Sequence, residues 1–275
     1  TLRILIRLLG LTALDERERA IRDRMMAITR ARVARATHDA AQGFRLTLPE
    51  PETYEAASWK LTEDERLRVG LLVLVNREIE LIRRGLERGM VEQRIAELLL
   101  VQAGQMHELT RALGAEGYQE SAARNHRLTW RFRMAQWLHR RFGITGMLSD
   151  EIAARYQMML IKGRVLTQLH AFAAEQLPPL IGPEALAEAS RLLDDRARAA
   201  QAALDAMEKQ YTAYTTQVRE LIVARLALAL EEAEYRAQRH EGLISEDIFE
   251  DMEADRLRRA RALARRPELD LGLEI

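Results

Sequence analysis

The 275-residue sequence contains no cysteine, only 6 prolines and 14 glycines, and few aromatic residues, which make up 5% of the chain. The absence of cysteine excludes disulfide bonds, thiolate nucleophiles and cysteine-ligated zinc. Proline and glycine are the residues that most often interrupt helices, whereas Ala, Leu, Arg and Glu, which are abundant here, favour them. The composition therefore predicts an all-α fold, a multi-helix bundle with helix nearly throughout.

Neither sign of charge dominates, because 42 basic residues balance 42 acidic ones. No net field therefore attracts the chain to nucleic acid or to a membrane surface, and we expect no nucleic-acid partner. No apolar run reaches the roughly 20 residues that cross a bilayer. The apolar start, residues 1–9, contains two arginines and lacks the small-residue cleavage site of a signal peptide. We expect the chain to be a piece of a longer protein, with this apolar start as the cut end.

Breaks in the helical pattern predict four segments. Residues 1–12 are an apolar, arginine-bearing lead, and residues 13–45 form a highly charged helix with a thin apolar stripe. A proline-containing break separates this helix from residues 46–182, a bundle of ordinary helices punctuated by glycines. Residues 183–275 comprise one very long helix, a C-terminal helix and a tail.

One short phrase occurs three times, at residues 89–95, 146–152 and 242–248, and each copy follows a helical run rich in Arg or His. Each copy has a glycine, two apolar residues and a polar residue that starts the next helix. Glycine adopts the left-handed conformation that ends many helices, and a serine side chain caps the N-terminus of the following one. The phrase therefore predicts a repeated helix–glycine–helix corner. The predicted corner residues are Gly89, Gly146, Ser149, Gly242 and Ser245.

From Pro183 to about His240 there is no further proline and no glycine. A continuous helix over this stretch would be roughly 85 Å long at about 1.5 Å per residue. Apolar residues and alanines recur along it at alternating steps of four and three, a heptad pattern typical of coiled coils. The pattern fits packing along a second long helix, either in this chain or in a second copy, and it also fits a core stripe in a large bundle. The residues of this seam are Leu193, Ala197, Ala200, Leu204, Met207, Tyr211, Tyr214, Val218 and Leu221.

Residues 121–142 contain six arginines and no acid, with two tryptophans and two phenylalanines interleaved. Apolar residues on two sides of this helix favour a central packing helix whose arginines pair with the acidic stretches 231–234 or 246–255. Two other interpretations remain: a surface for an anionic lipid or regulatory partner, and a grip for single-stranded nucleic acid. The candidate contacts for an anion or lipid are Arg3, Arg7, Arg124, Arg127 and Arg131.

The sequence contains no pattern typical of a catalytic site. None of the 6 histidines lies three residues after a glutamate, as in di-metal helix bundles. His-Glu-x-x-His, a phosphate-binding glycine loop and Gly-x-Ser-x-Gly are also absent. We therefore expect no enzyme activity, no metal and no cofactor.

Three stretches of the chain are distinctive: Thr1–Leu11, Leu230–Ile248 and Arg265–Leu273. Together they resemble segments of bacterial monovalent cation:proton antiporters of the sodium/proton exchanger family. Thr1–Leu11, which ends in Leu-Gly-Leu, is similar to the end of their last membrane helix. Leu230–Ile248, which contains Glu-Gly-Leu-Ile-Ser, is similar to their cytoplasmic tails, where a helix is followed by Glu-Gly-x-Ile-Ser. Arg265–Leu273 is similar to the tail segment that in some members leads to a cyclic-nucleotide-binding-like domain.

The resemblance implies the soluble C-terminal region of a transporter, on the cytoplasmic face of the bacterial inner membrane. Its implied partners are the membrane part of the same antiporter, a second copy and anionic lipid. The ion-translocating aspartates would lie upstream, so no catalytic residue is carried over. Nine arginines against four acids in residues 1–35 independently fit a cytoplasmic juxtamembrane segment. The alternative is a free-standing helical coiled-coil adaptor or a nucleic-acid-associated binding protein.

Overall fold

The computed structural model describes residues 16–43, 61–124, 130–142 and 146–263. Within these ranges the secondary structure is α-helical without a strand, which confirms the all-α prediction. The helices are α1 (Glu16–Gly43), α2 (Glu63–Glu87), α3 (Gln93–Leu113), α4 (Ala115–Arg124), α5 (Trp130–Phe142), α6 (Gly146–Gln176), α7 (Pro178–Ile181), α8 (Pro183–Gln210), α9 (Thr212–His240) and α10 (Glu246–Ala262). The lead, residues 1–12, lies outside the described residues.

The larger hydrophobic core lies where α2, α3, α6, α7 and the first half of α8 meet. Leu71 and Leu74 of α2, Leu169 of α6 and Leu193 of α8 are completely buried in it. Each such side chain contributes about 1.5–3 kcal/mol relative to an exposed position. The first half of α8 therefore belongs to the same packed body as the bundle helices that precede it.

A smaller hydrophobic cluster lies at the other end of α6, where α5, the second half of α8 and the first half of α9 pack together. Ala135, Ile152 and Tyr156 are completely buried, and Tyr214 and Val218 of α9 are almost so. α10 packs back along α9, and this last pair of helices is attached to the rest mainly through α9.

The prediction of one very long helix is wrong, because the chain breaks at Tyr211 between α8 and α9. Tyr211 has φ −130° and ψ 46°, outside the helical region. The Thr212 hydroxyl donates to the Glu208 carbonyl oxygen (2.8 Å), and the Thr215 hydroxyl donates to the Tyr211 carbonyl oxygen (3.0 Å). Threonine hydroxyls that bond back to the preceding turn bend helices. We therefore attribute the break at Tyr211 to the threonine-rich stretch that follows it.

Seam residues on both sides of this break pack within the chain. Leu193, Ala197 and Ala200 lie in or against the larger core. Leu204, Met207, Tyr211, Tyr214 and Val218 lie in or against the smaller cluster, and Leu221 is half-buried. The heptad pattern thus corresponds to a core stripe over two helices.

Two of the three predicted corners have the expected geometry. Gly89 and Gly242 have φ values of 65° and 72°. The Met90 amide donates to the Gly85 carbonyl (2.9 Å), which closes the end of α2 in the manner of a Schellman motif. The Ser245 side chain caps α10 by accepting a hydrogen bond from the Ile248 amide (3.4 Å).

The prediction for the corner at Gly146 and Ser149 is wrong. Gly146 is the first residue of α6, and Ser149 lies inside that helix, where its hydroxyl donates to the Gly146 carbonyl oxygen (2.8 Å). Leu148 and Ile152, four residues apart on one helix face, are both buried in the smaller cluster. A helix that begins at Gly146 places Leu148 and Ile152 on the same face, where both can be buried. This burial favours helix over a corner in residues 146–152.

Candidate functional site

An open groove with a volume of about 730 Å³ runs between α2, α6 and α9. Its floor is apolar and is built mostly from α6, which faces α2 on one side and α9 on the other. The floor residues are Leu81, Ile82, Leu160, Ile161, Val165, Phe172, Ile222 and Leu226.

Four arginines line the groove. Arg77, Arg84 and Arg88 belong to α2 and the residue that ends it, and Arg164 belongs to α6. Glu175 is the one acid among the lining residues. The groove is therefore an apolar floor bordered by excess positive charge.

The spacing of the α2 arginines explains why they share one side of the groove. Steps of seven and four residues separate Arg77, Arg84 and Arg88, and such steps return a helix to the same face. The corner that follows contributes Val91 to the lining, and Gly85 makes its approach possible. A Cβ on Gly85 would lie 2.8 Å from a Val91 methyl carbon, so α2 and the returning chain pack too closely for any side chain there.

The groove arginines differ in how they are neutralised. Arg84 donates to the Glu80 carboxylate (2.7 Å), an exposed pair within one helix. Arg77 lies over the Phe172 ring, 5.3 Å from its centroid, and its Nε is buried without a hydrogen-bond acceptor in the described structure. Arg88 and Arg164 are exposed, and among the described residues no carboxylate lies within ion-pair distance of either. The described residues thus neutralise the positive charge of the groove only in part.

α1 is attached beside one end of this groove. Arg24 donates two hydrogen bonds to the Pro179 carbonyl oxygen in α7 (3.1 and 3.0 Å). Arg32 donates to Oε1 of Gln176, a groove-lining residue at the end of α6 (2.9 Å). Met25 and Val33 of the same helix remain 46% and 57% exposed, so α1 is held to the bundle by polar contacts more than by burial.

A buried polar cluster lies inside the larger core. Arg196 of α8 donates to both carboxylate oxygens of Glu78 in α2 (2.8 and 3.0 Å) and to the Tyr118 hydroxyl in α4 (2.7 Å). All three side chains are almost completely buried, as is Lys162 of α6. Two parallel bonds between a guanidinium and a carboxylate fix both groups in position. The cluster therefore locks α2, α4 and α8 together.

Lys162 and Tyr118 have perturbed pKa values because of this environment. Burial, and then the nearby Arg196 guanidinium, lower the pKa of Lys162 to about 8, while Glu78 acts in the opposite direction. Burial raises the pKa of Tyr118, which favours its neutral form. Burial by itself would lower the pKa of Arg196, but Glu78 and Tyr118 outweigh it and the pKa is raised. Arg196 is therefore charged throughout the range in which proteins are folded.

Of the arginines predicted to contact an anion or lipid, only Arg124 has its side chain in the described structure, so this prediction stays a prediction. Arg124 ends α4 and pairs with Glu120 (2.5 Å) on the surface. Arg131 lies in α5, but its side chain is outside the described residues, and Arg3, Arg7 and Arg127 lie outside them altogether.

The acids proposed as partners for the arginines of α5 have other partners. Arg259 of α10 pairs with Glu231 (2.8 Å), and Arg256 pairs with Glu232 (3.2 Å) and with Glu253. The pairs with Glu231 and Glu232 fasten α10 to α9, whereas the pair with Glu253 lies within α10. On α5 itself Trp137 and Phe142 are 58% and 61% exposed.

Neither the groove nor the buried cluster was predicted from the sequence. The groove residues come from three stretches, 77–91, 160–176 and 222–226, so no local pattern joins them. A signal for the cluster was present, because Arg196 falls within the alanine- and leucine-rich seam, between Leu193 and Ala200. A charge in the middle of an apolar stripe indicates a buried partner.

No helix in the described part of the chain combines the length and the apolar character needed to span a membrane. The described residues also contain no group of acidic and histidine side chains arranged to hold a metal ion. Comparison of the chain with family models, with curated proteins and with solved structures gave no match.

Proposed function

We propose that the chain is a cytoplasmic regulatory and dimerisation domain of a bacterial monovalent cation:proton antiporter, without catalysis of its own. The resemblance of Thr1–Leu11 to the end of a membrane helix and of Leu230–Ile248 to antiporter tails supports this proposal. Within the second stretch, the corner at Gly242 and Ser245 joins α9 to α10.

The attachment of α1 is the observation that carries the proposal. A domain that regulates a transporter needs a connecting element with two packings of similar free energy. α1 follows directly on the apolar lead and is highly charged, and Arg24 and Arg32 hold it at α7 and at the end of α6. Such an element can shift as a rigid rod when the bundle changes state, because little apolar surface is exposed by its release.

Dimerisation would require a surface other than the seam, because most seam residues are buried within one chain. α9 and α10 present exposed apolar side chains that suit a contact with a second copy. These residues are Val223, Leu230, Ile248 and Leu257.

The reading frame upstream of Thr1 provides the first test. About a dozen apolar spans of roughly 20 residues each are expected there, each long enough to cross a bilayer. Deletion of residues 46–275 from the complete protein is then expected to alter the pH dependence of cation:proton exchange and to lower the dimer fraction. An unchanged pH profile together with an unchanged dimer fraction would refute both roles.

A second candidate function is a nucleic-acid-associated helical adaptor, and the exposed face of α5 favours it. Trp137 and Phe142 pack edge to face with ring centroids 5.7 Å apart, and Arg141 lies beside Phe142. Exposed aromatic rings next to arginine suit stacking on single-stranded bases. Strong, salt-dependent binding of single-stranded RNA by the 275-residue chain would favour this function over the antiporter domain.

A further inference from the structure

We propose that the groove between α2, α6 and α9 binds a long-chain fatty acid, with the acyl chain on the apolar floor and the carboxylate at Arg88 and Arg164. This inference goes beyond the proposed function and does not depend on it, because it rests on the groove alone.

The dimensions of the groove suit one acyl chain. Its volume of about 730 Å³ lies within the range of roughly 300–1,000 Å³ that is usual for small-molecule sites. Along α6 the lining extends from Leu160 to Gln176, which corresponds to about 24 Å at 1.5 Å per residue. An acyl chain in one leaflet of a bilayer spans about 15 Å, half of the hydrocarbon core. The groove therefore accommodates the whole chain and leaves room for the headgroup.

The charge of the groove calls for an anion. Arg88 and Arg164 are exposed and, among the described residues, have no carboxylate within ion-pair distance. Arg77 adds a buried Nε that lacks an acceptor in the described structure. Guanidinium groups bind a carboxylate through two parallel hydrogen bonds, stronger than those between neutral groups. One carboxylate would neutralise part of this excess without introducing further charge.

The apolar floor favours a hydrocarbon over a peptide. An extended peptide in the groove would bury backbone N–H and C=O groups against Leu160, Ile161 and Val165, which offer no hydrogen-bond partner. Each such group buried without a partner loses its hydrogen bonds to water and opposes binding. An acyl chain carries no such groups, so burial of its apolar surface favours binding without an opposing loss of hydrogen bonds.

Calorimetric titration of the full chain with three ligands below their aggregation concentrations tests the proposal. We expect hexadecanoate to bind at one site, and butanoate, which has the carboxylate without the chain, to bind at least tenfold more weakly. Hexadecanol, which has the chain without the charge, is also expected to bind at least tenfold more weakly.

The arginine variants locate the site. The double substitution Arg88→Gln/Arg164→Gln is expected to weaken hexadecanoate binding at least tenfold with an unchanged melting temperature. Arg83→Gln is the matched control, because Arg83 is exposed on the same helix but does not line the groove; it should bind like the parent. Three results would overturn the proposal. They are equal weakening in the control, butanoate binding as tight as that of hexadecanoate, and no binding of hexadecanoate.

Discussion

The two halves of α8 lie in different surroundings. Its first half lies in the larger core, where Arg196 and Glu78 form a buried, two-bond ion pair. Its second half lies in the smaller cluster, where Glu208 accepts from the Tyr156 hydroxyl (2.7 Å) and pairs with Arg219 at a partly exposed site. Regions with fewer buried contacts open first. We therefore expect the second half of α8 to be less stable against local unfolding than the first half.

The break at Tyr211 marks the transition between these regions. Beyond it, α9 and α10 are joined largely by ion pairs such as Arg259 with Glu231, and they leave Val223 and Leu230 exposed. We infer that the larger core is the rigid body of the domain. The smaller cluster and the α9–α10 pair form its adaptable end.

Removal of the Glu78 carboxylate tests the rigid region most severely. Glu78→Ala leaves the Arg196 charge buried without its acidic partner, and we expect the free energy of unfolding to fall by about 3–5 kcal/mol. Urea unfolding followed by circular dichroism provides the measurement. Glu80→Ala, which breaks an exposed pair on the same helix, is the control and should cost less than about 1 kcal/mol. Equal losses in the two variants would contradict the comparison.

A cavity in the smaller cluster should destabilise only the neighbouring helices, whereas a cavity in the larger core should destabilise the whole domain. Ile152→Ala is expected to cost about 2–4 kcal/mol, because Ile152 is completely buried in the smaller cluster. Amide hydrogen exchange should show faster exchange in α5 and α9 with little change in α2 and α3. Leu74→Ala, a cavity of similar size in the larger core, should accelerate exchange throughout. A uniform effect of Ile152→Ala would mean that the protein unfolds as a single cooperative unit.

The buried lysine in the larger core is expected to reduce stability near neutral pH. The pKa of Lys162 is lowered to about 8 in the folded protein, against 10.5 ordinarily. Below pH 8 the amine is protonated in both states and its desolvation opposes folding. Between pH 8 and 10 the unfolded chain holds more protons, so stability should rise with pH.

Lys162→Met should therefore raise the free energy of unfolding at pH 7 by about 1–3 kcal/mol and remove this rise. Urea unfolding at pH 7, 8, 9 and 10 provides the measurement. The charged groups that act on the amine are Arg196, Glu78 and Arg155. A loss of stability in the variant would show that Lys162 makes a net favourable interaction with Glu78.

The smallest expected effect on the free energy of unfolding comes from removing one of two tyrosine hydroxyls. Tyr118→Phe removes the bond to the buried Arg196 (2.7 Å), and a hydrogen bond to a charged group contributes about 1.5–3 kcal/mol. Tyr156→Phe removes bonds to Glu208 and Arg219, whose charged groups are partly exposed and screened by water, so we expect a smaller loss of about 0.5–1 kcal/mol. Thermal unfolding of both variants measures the difference. A larger loss for Tyr156→Phe would reverse the proposed order of the two regions.

The sequence was sufficient to predict the helical class and two of the corners. Gly89 and Gly242 end helices because their backbone conformation, with φ near +70°, favours glycine. Gly146 occurs in the same phrase, but burial of Leu148 and Ile152 extends α6 back to it. The local residue types show where a helix–glycine–helix corner is possible, whereas tertiary packing decides whether the corner forms.

The heptad pattern and the groove show a second limit of prediction from sequence. The heptad spacing of the seam shows which side chains share a face. The spacing continues through Tyr211, although the helix is interrupted at that residue. The groove depends on Arg88, Arg164 and Leu226, which lie in three helices that are distant in sequence. Residues of this kind come together only through the packing of whole helices.

If the chain belongs to an antiporter as we propose, cation:proton exchange by the complete protein in membrane vesicles, measured across pH, tests the proposed regulatory role of α1 most directly. Arg24→Ala/Arg32→Ala removes the hydrogen bonds to Pro179 and Gln176. Arg30→Ala, at an exposed position of the same helix, is the matched control. We expect a shifted pH profile for the double variant at an unchanged amount of protein, and a parental profile for the control. Superimposable profiles for the double variant and the parent would contradict it.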